Sequence, residues 1–193
     1  MDTLQKKIQH LLNLFKSKKL SKAELFGKEL TSTYPNNVIL YNILGLILTY
    51  QKKIDEAIEC YEKGIKIKPD FAMIYNNLGT IYKSKKNYLK AETYFNKSIK
   101  LDNKIPEAQN NLGNLYVDLN KHKKAIISFK KSININSNFY IAHYNLGILY
   151  KSIGKFEECK KCLKEAIRLH PQFYEAHRAF SQIHKYKVND NTK

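Results

Sequence analysis

The sequence predicts an all-α protein built from stacked helix pairs, and two observations support this prediction. The first is a Leu-Gly dipeptide that recurs every 34 residues. A fixed period of this length is typical of a repeated supersecondary unit. The second is the helical spacing of the apolar residues around the glycines, as in Tyr75, Leu78, Ile81 and Tyr82. The four glycines are Gly45, Gly79, Gly113 and Gly147.

Further positions keep the same register. A large side chain, mostly tyrosine, follows each glycine by three residues, a small one by twelve, a bulky apolar one by sixteen, and Pro69, Asn103, Ser137 or Pro171 by twenty-four. This order, and the stretch Tyr75-Asn76-Asn77-Leu78-Gly79 in particular, resembles the tetratricopeptide repeat. The resemblance implies two antiparallel helices per repeat, here called A and B, and a right-handed superhelical α-solenoid.

The register also predicts the repeat boundaries. Counting back from the first full repeat finds Ala23 and Pro35 at the expected places, whereas His10-Leu11 replaces the Leu-Gly pair. After Phe173 the A pattern continues with Ser181 in the glycine register and no B helix after it. We therefore expect a degenerate repeat at 1–37, full repeats at 38–71, 72–105, 106–139 and 140–173, a capping helix at 174–187 and a tail at 188–193.

The glycines need a packing reason, because glycine within a helix costs about 1 kcal/mol relative to alanine. We expect each glycine to allow close approach of the partner B helix. The small residues twelve positions later are predicted to supply the facing gap. These residues are Ala57, Ala91 and Ala125.

Composition limits the functional classes. The chain of 193 residues carries a formal net charge of +17, spread along its length. No apolar run approaches the ~20 residues of a membrane span, and the N-terminal segment has the spacing of a helix rather than of a secretion signal. Three cysteines on predicted helices fit a reducing, cytoplasmic compartment.

Asparagines repeat on the A helices at the 34-residue period. Asparagine is a poor helix former, so its repetition indicates a role other than local stability. The amide can pair with both the donor and the acceptor of a peptide backbone. A similar asparagine ladder lines the repeats of O-linked N-acetylglucosamine transferase, and Ile43 interrupts the pattern here. The predicted groove residues are Asn76, Asn77, Asn110, Asn111, Asn114, Tyr144, Asn145, Lys83, Lys151 and Arg178. A second interpretation is that the asparagines bond the backbone of the neighbouring repeat.

No combination of residues predicts catalysis or a cofactor. Cys159 and Cys162 form a Cys-x-x-Cys, but the chain has no second pair to complete a zinc site. His143 and His177 lie 34 residues apart, where Tyr41 and Tyr75 stand in other repeats, so both are predicted to pack between helices. No glycine-rich phosphate loop or nucleophile turn occurs.

The sequence therefore favours a non-enzymatic scaffold, monomeric or weakly self-associating, that binds an extended peptide or partner segment in its groove. Asparagine or tyrosine replaces the lysine with which related repeats clamp chaperone tails, which disfavours that class of partner. A second hypothesis is the recognition module of a larger bacterial transferase, of the sulfotransferase or glycosyltransferase type. A third is nucleic-acid binding by the basic surface, which the absence of any nucleic-acid motif disfavours.

Overall fold

The computed structural model describes residues 3–190, with side chains described up to Ile183. Across these residues the chain forms eleven α-helices and no β-strand, which confirms the predicted all-α repeat architecture. The chain divides into two units, residues 1–101 and residues 102–193. Each unit is a series of helix pairs.

Unit 1 contains three helix pairs. Helices α3 and α5 each pack against their own B helix, α4 and α6, and α3 also contacts α1, α2 and α5. Two clusters of buried side chains form the core, one around Leu11 and Ile43 and one around Tyr61 and Leu78. The helices are α1 (Thr3–Lys16), α2 (Leu20–Thr33), α3 (Val38–Tyr50), α4 (Ile54–Ile67), α5 (Ala72–Ser84) and α6 (Tyr88–Leu101).

Unit 2 contains two helix pairs and a final single helix. Helix α9 packs against α7, α8 and α10, and α10 packs against α11. The last helix extends three residues beyond the predicted end at 187, so the predicted tail begins too early, and residues 191–193 lie outside the described part of the chain. The helices are α7 (Pro106–Asp118), α8 (His122–Ile135), α9 (Tyr140–Ser152), α10 (Phe156–Leu169) and α11 (Tyr174–Asp190).

All five turns from an A helix to its B helix share one backbone conformation. The residue that follows the A helix by two positions has a positive φ, between 56° and 77°. The next amide then bonds the carbonyl five residues earlier, as Lys53 N does with Leu48 O at 2.9 Å. This arrangement is a Schellman motif, and four of the five left-handed residues are not glycine. The five residues are Lys18, Lys52, Lys86, Asn120 and Gly154.

Three of the turns from a B helix to the next A helix are each held by one side chain. Tyr75 Oη donates to the Pro69 carbonyl at 2.8 Å. His143 Nε2 lies 2.9 Å from the Ser137 carbonyl, and His177 Nε2 makes the same contact with Pro171. Because a carbonyl oxygen only accepts, the Nε2–H tautomer makes these bonds. The two histidines therefore take the structural place of the tyrosine.

The glycines allow close helix approach, but not against the predicted alanines. A Cβ on Gly79 would lie 2.6 Å from Phe95 Cδ1, and one on Gly113 would lie 2.6 Å from Phe129 Cε1. The facing group is therefore the aromatic ring sixteen residues later. Ala91 and its equivalents are fully buried in the core without being the atoms that the glycine meets.

The degenerate first repeat reverses this size relationship. Leu11 stands in the glycine register and is fully buried, while Gly27, sixteen residues later, stands where the other repeats place an aromatic ring or, in the fourth, a leucine. A Cβ on Gly27 would meet Leu44 Cδ1 at 3.1 Å and Leu11 Cδ1 at 3.7 Å. The large residue is therefore on the A helix, α1, and the small one is on the B helix, α2, so the two helices can still pack closely.

Candidate functional site

In unit 1, asparagine side chains on adjacent A helices form a hydrogen bond with each other. Asn77 Nδ2 on α5 donates to Asn42 Oδ1 on α3 at 2.9 Å, and the two residues are 35 positions apart. The side chain two residues before one glycine thus bonds the side chain three residues before the preceding glycine. Asn77 itself is half-buried.

The same bond occurs in unit 2. Asn145 Nδ2 on α9 donates to Asn110 Oδ1 on α7, again at 2.9 Å and 35 residues apart. The interpretation that the asparagines bond the neighbouring repeat is therefore correct for these two pairs, although the acceptor is a side chain rather than the backbone. The bond uses one of the two N–H donors of each donating amide and leaves its carbonyl for other partners.

Two predicted groove residues have almost no accessible surface. Asn76 and Asn110 are 5% and 4% exposed, so they offer almost no surface to a ligand. Their side chains, three residues before the glycine, face the adjacent A helix. A polar group buried there needs a hydrogen-bond partner within the protein. Asn110 accepts the bond from Asn145 in this way.

The other predicted residues retain accessible surface. The half-buried ones are Asn77, Asn111, Asn114, Tyr144, Asn145, Lys83 and Lys151, and Arg178 is exposed. Within unit 2, Lys151 Nζ donates to Gln182 Oε1 at 2.9 Å, which connects α9 to α11. The Tyr144 ring packs edge-on against Phe173, with centroids 4.9 Å apart. Lys151 and Tyr144 therefore both have partners within unit 2.

The cysteines have the properties of structural thiols. Cys159 is fully buried and Cys162 is partly buried, and all three cysteines are free. Burial raises the pKa of the Cys162 thiol to about 11, helped by the neighbouring Cys159. A protonated thiol is a poor nucleophile and a poor metal ligand. In the described part of the chain, no three His, Cys, Asp or Glu side chains come close enough together to hold a metal ion.

Some of the lysines lie against aromatic rings. Lys90 Nζ lies 5.1 Å from the Tyr82 ring centroid, and Lys124 Nζ lies 5.5 Å from that of Tyr116. Cations over such rings interact favourably by about 0.5–1 kcal/mol at exposed sites. These lysines therefore have a structural role within the repeat.

One ion cluster joins two B helices of unit 1. Glu24 on α2 accepts from Lys28 Nζ at 2.7 Å and from Lys53 Nζ at the same distance, while Lys28 also contacts Glu56 at 3.2 Å. The hydrogen bonds from Lys28 and then Lys53 lower the pKa of Glu24. The carboxylate is 12% exposed, so both cations hold a largely buried charge.

None of the helices that the structure describes is both long and apolar enough to cross a membrane. No curated protein sequence shows significant similarity to the chain.

Among solved structures, a chain of the Cut9–Hcn1 hetero-tetramer of APC/C is similar over 94% of this chain, with a TM-score of 0.84 and 18% identity. This chain spans only 36% of that one. A thermophilic TPR protein from Thermus thermophilus matches over 93% of this chain and 97% of its own, with a TM-score of 0.82 and 15% identity. YrrB, described as a TPR protein with an unusual peptide-binding site, matches over 90% and 89%, with a TM-score of 0.60 and 20% identity.

Family models match most of the repeat region. A TPR repeat model matches residues 45–86, and two tetratricopeptide repeat models match residues 70–138 and 140–173. These matches agree with the helix pairs, the 34-residue register and the solved structures of similar fold. The chain therefore belongs to the tetratricopeptide repeat family.

Proposed function

We propose that this chain is a protein-interaction scaffold and that the half-buried asparagines of its A helices bind the backbone of an extended partner segment. The observation that carries the proposal is the fixed orientation of Asn77 and Asn145. Each uses one N–H to bond the amide of the preceding repeat, at 2.9 Å. Its carbonyl oxygen is left for a ligand, while the Asn77 amide also lies near the Tyr61 hydroxyl.

This arrangement reduces the entropic cost of binding. An unrestrained asparagine would lose rotamer freedom when it bound a peptide, and ordering a side chain at an interface costs about 0.5–1.5 kcal/mol. The bond to Asn42 or Asn110 orders the side chain before any partner arrives. A backbone N–H of the partner then meets an acceptor in a known direction, with little dependence on the partner's sequence.

Selectivity is assigned to neighbouring side chains. Lys83, Lys151 and Arg178 favour acidic residues of the partner, and Tyr144 favours apolar ones. Asn111 and Asn114 extend the polar surface of unit 2. YrrB, with its peptide-binding site, shares the fold, which supports peptides as the partner class. We retain the predicted repeat bounds as part of this proposal.

The test compares two matched double variants. Asn77→Ala/Asn145→Ala removes both open amides, whereas Asn42→Ala/Asn110→Ala removes their partners. Both variants lose the same two hydrogen bonds within the protein, but only the first loses the groups offered to a ligand. The ligands are peptides selected from an unbiased displayed library on the unaltered chain, and binding is measured by titration calorimetry.

We expect the first variant to lose about thirtyfold in affinity, because two hydrogen bonds contribute about 2 kcal/mol together. The control variant should lose less than about threefold. Equal losses in the two variants would show that the asparagines only hold the repeats together. A library that yields no binding peptide would contradict the peptide-groove proposal itself.

Two other functions remain to be separated from this one. If the chain is the recognition module of a larger transferase, its peptide ligands should resemble the substrate of an adjoining catalytic region, which the complete reading frame would reveal. If the basic surface binds nucleic acid, affinity should fall steeply as salt is raised. We favour the scaffold, because the ammonium groups of some lysines already lie over aromatic rings of the same chain.

A further inference from the structure

Unit 1 has a pocket of about 510 Å³ between helices α2 and α4, with α3 at its base. This volume lies within the range of about 300–1,000 Å³ that is typical of small-ligand sites. Leu48 and Cys60 line it, together with Tyr41. None of its lining residues belongs to the Asn42–Asn77 pair, so the pocket is separate from the proposed asparagine site.

The next repeat fills the equivalent space with two aromatic rings. The positions equivalent to Leu48 and Cys60, 34 residues later, hold Tyr82 and Tyr94. The rings of Tyr82 and Tyr94 stack on each other with centroids 5.3 Å apart and planes inclined by 11°. Tyr94 also lies 6.3 Å from Tyr75, which is the equivalent of Tyr41. The pocket thus lies where the next repeat has two tyrosine rings and this repeat has two smaller side chains.

The remaining tyrosine also differs in its hydrogen bonding. Tyr75 Oη donates to the Pro69 carbonyl at 2.8 Å. Among the described residues Tyr41 makes no corresponding bond to Pro35, although both line the pocket. The Tyr41 ring and hydroxyl are thus available to a ligand, in the place where the next repeat stacks a second ring.

The charge of the rim selects against ionic ligands. Lys28 and Lys63 line the pocket with Glu56 and Glu59, two positive and two negative groups. Lys28 and Glu56 already form an ion pair at 3.2 Å. A rim with no net charge gives neither a phosphate nor an amine a strong electrostatic advantage. An uncharged ring with a polar edge suits it better.

We propose that this pocket binds a tyrosine side chain of a partner protein, which occupies the space that Tyr82 and Tyr94 fill in the next repeat. The ring packs against Tyr41 and Leu48, and its hydroxyl reaches the polar rim. The partner main chain remains outside, since the pocket opens to solvent between two helices. This proposal does not depend on the asparagine ladder, and either one can fail alone.

The test uses three probes on the complete chain, followed by backbone amide NMR. The probes are p-cresol, its saturated counterpart 4-methylcyclohexanol, and the pentapeptide Gly-Gly-Tyr-Gly-Gly with an alanine-centred control. We expect saturable shifts confined to residues 28–63 with p-cresol and with the tyrosine peptide. The saturated alcohol should bind at least fivefold more weakly, and the alanine peptide should not bind.

A variant that fills the pocket completes the test. Leu48→Tyr/Cys60→Tyr recreates the packing of the next repeat and should abolish the saturable shifts while keeping the helical circular dichroism spectrum. Should the double variant not fold, Cys60→Phe alone serves the same purpose and should weaken binding at least tenfold.

Three outcomes would overturn the proposal. These are shifts outside residues 28–63, equal binding of the saturated alcohol, and unchanged binding to a folded variant with the pocket filled. Binding of p-cresol without binding of the tyrosine peptide would assign the pocket to a free small molecule and would also contradict the proposed partner.

Discussion

The replacement Gly79→Ala tests the contact that sets the distance between helices α5 and α6. The added Cβ would lie 2.6 Å from both Cδ1 and Cε1 of Phe95 and 3.1 Å from Cγ. Phe95 is fully buried, so its rigid ring has no open space into which to move. At Gly147, the equivalent glycine of the fourth repeat, the nearest atoms are those of Leu163, at 3.1 Å.

The expected cost at Gly79 follows from this overlap. Carbon atoms prefer a separation of about 3.5–4.0 Å, so the new methyl group is about 1 Å too close. Overpacking of a core costs about 1–3 kcal/mol, and the gain in helix propensity returns about 1 kcal/mol. Because the overlap falls on a rigid, buried ring, we take the upper part of the overpacking range, about 2–3 kcal/mol, which leaves a net loss of about 1–2 kcal/mol at Gly79. At Gly147 the smaller overlap with a rotatable leucine should roughly cancel the gain.

Thermal unfolding followed by circular dichroism measures the difference. For a chain of this size, 1 kcal/mol shifts the midpoint by about 2–4 °C, so Gly79→Ala should lower it by about 3–6 °C and Gly147→Ala by less than about 2 °C. In a Phe95→Leu background, Gly79→Ala should cost at least about 1 kcal/mol less. A Gly79→Ala variant as stable as the parent would refute the argument that the ring requires glycine.

Two further predictions concern groups buried in unit 1. Tyr61 is fully buried, and among the described residues its hydroxyl makes no hydrogen bond of standard geometry. Burial raises the pKa of this hydroxyl, although Thr49 and Asn77 act in the opposite direction. Tyr61→Phe should therefore leave unfolding free energy unchanged or raise it by about 1 kcal/mol, and a loss above about 1 kcal/mol in urea unfolding would reveal a missed partner. Lys28 and Lys53 lower the pKa of Glu24, so its stabilising effect is complete above the unfolded-state pKa of about 4.3 and is lost as pH falls through the lower folded-state value. Glu24→Gln should thus destabilise at about pH 7 and match the parent in midpoint at about pH 2; a difference that persists in acid would contradict the charge mechanism.

The repeat architecture could be predicted because its signals are local and periodic. The 34-residue register predicted a series of paired helices, and eleven α-helices occur in the part of the chain that the structure describes. The structural roles of His143 and His177 were also predictable, since each stands where an earlier repeat has tyrosine. In the structure each bonds the carbonyl six residues earlier, an acceptor that the sequence did not indicate, and His177 is exposed rather than packed between helices.

The candidate site was predicted less completely. The period identified which asparagines are equivalent, but equivalence does not say which way a side chain points. Asn76 and Asn77 are adjacent in sequence, yet only the first is buried, because successive helical residues face directions about 100° apart. The bond from Asn77 to Asn42 spans 35 residues rather than 34, an offset that becomes visible only when the two A helices are side by side.

By itself, the sequence determined the all-α class, the repeat length and the positions where glycine is required, because these depend on patterns along one chain. Only the tertiary structure decided that glycine faces an aromatic ring rather than alanine, that Leu11 and Gly27 exchange sizes, and that Leu48 and Cys60 leave a pocket. Each of these depends on how much volume two distant residues fill together. That sum is a property of packed helices, and no single residue type reveals it.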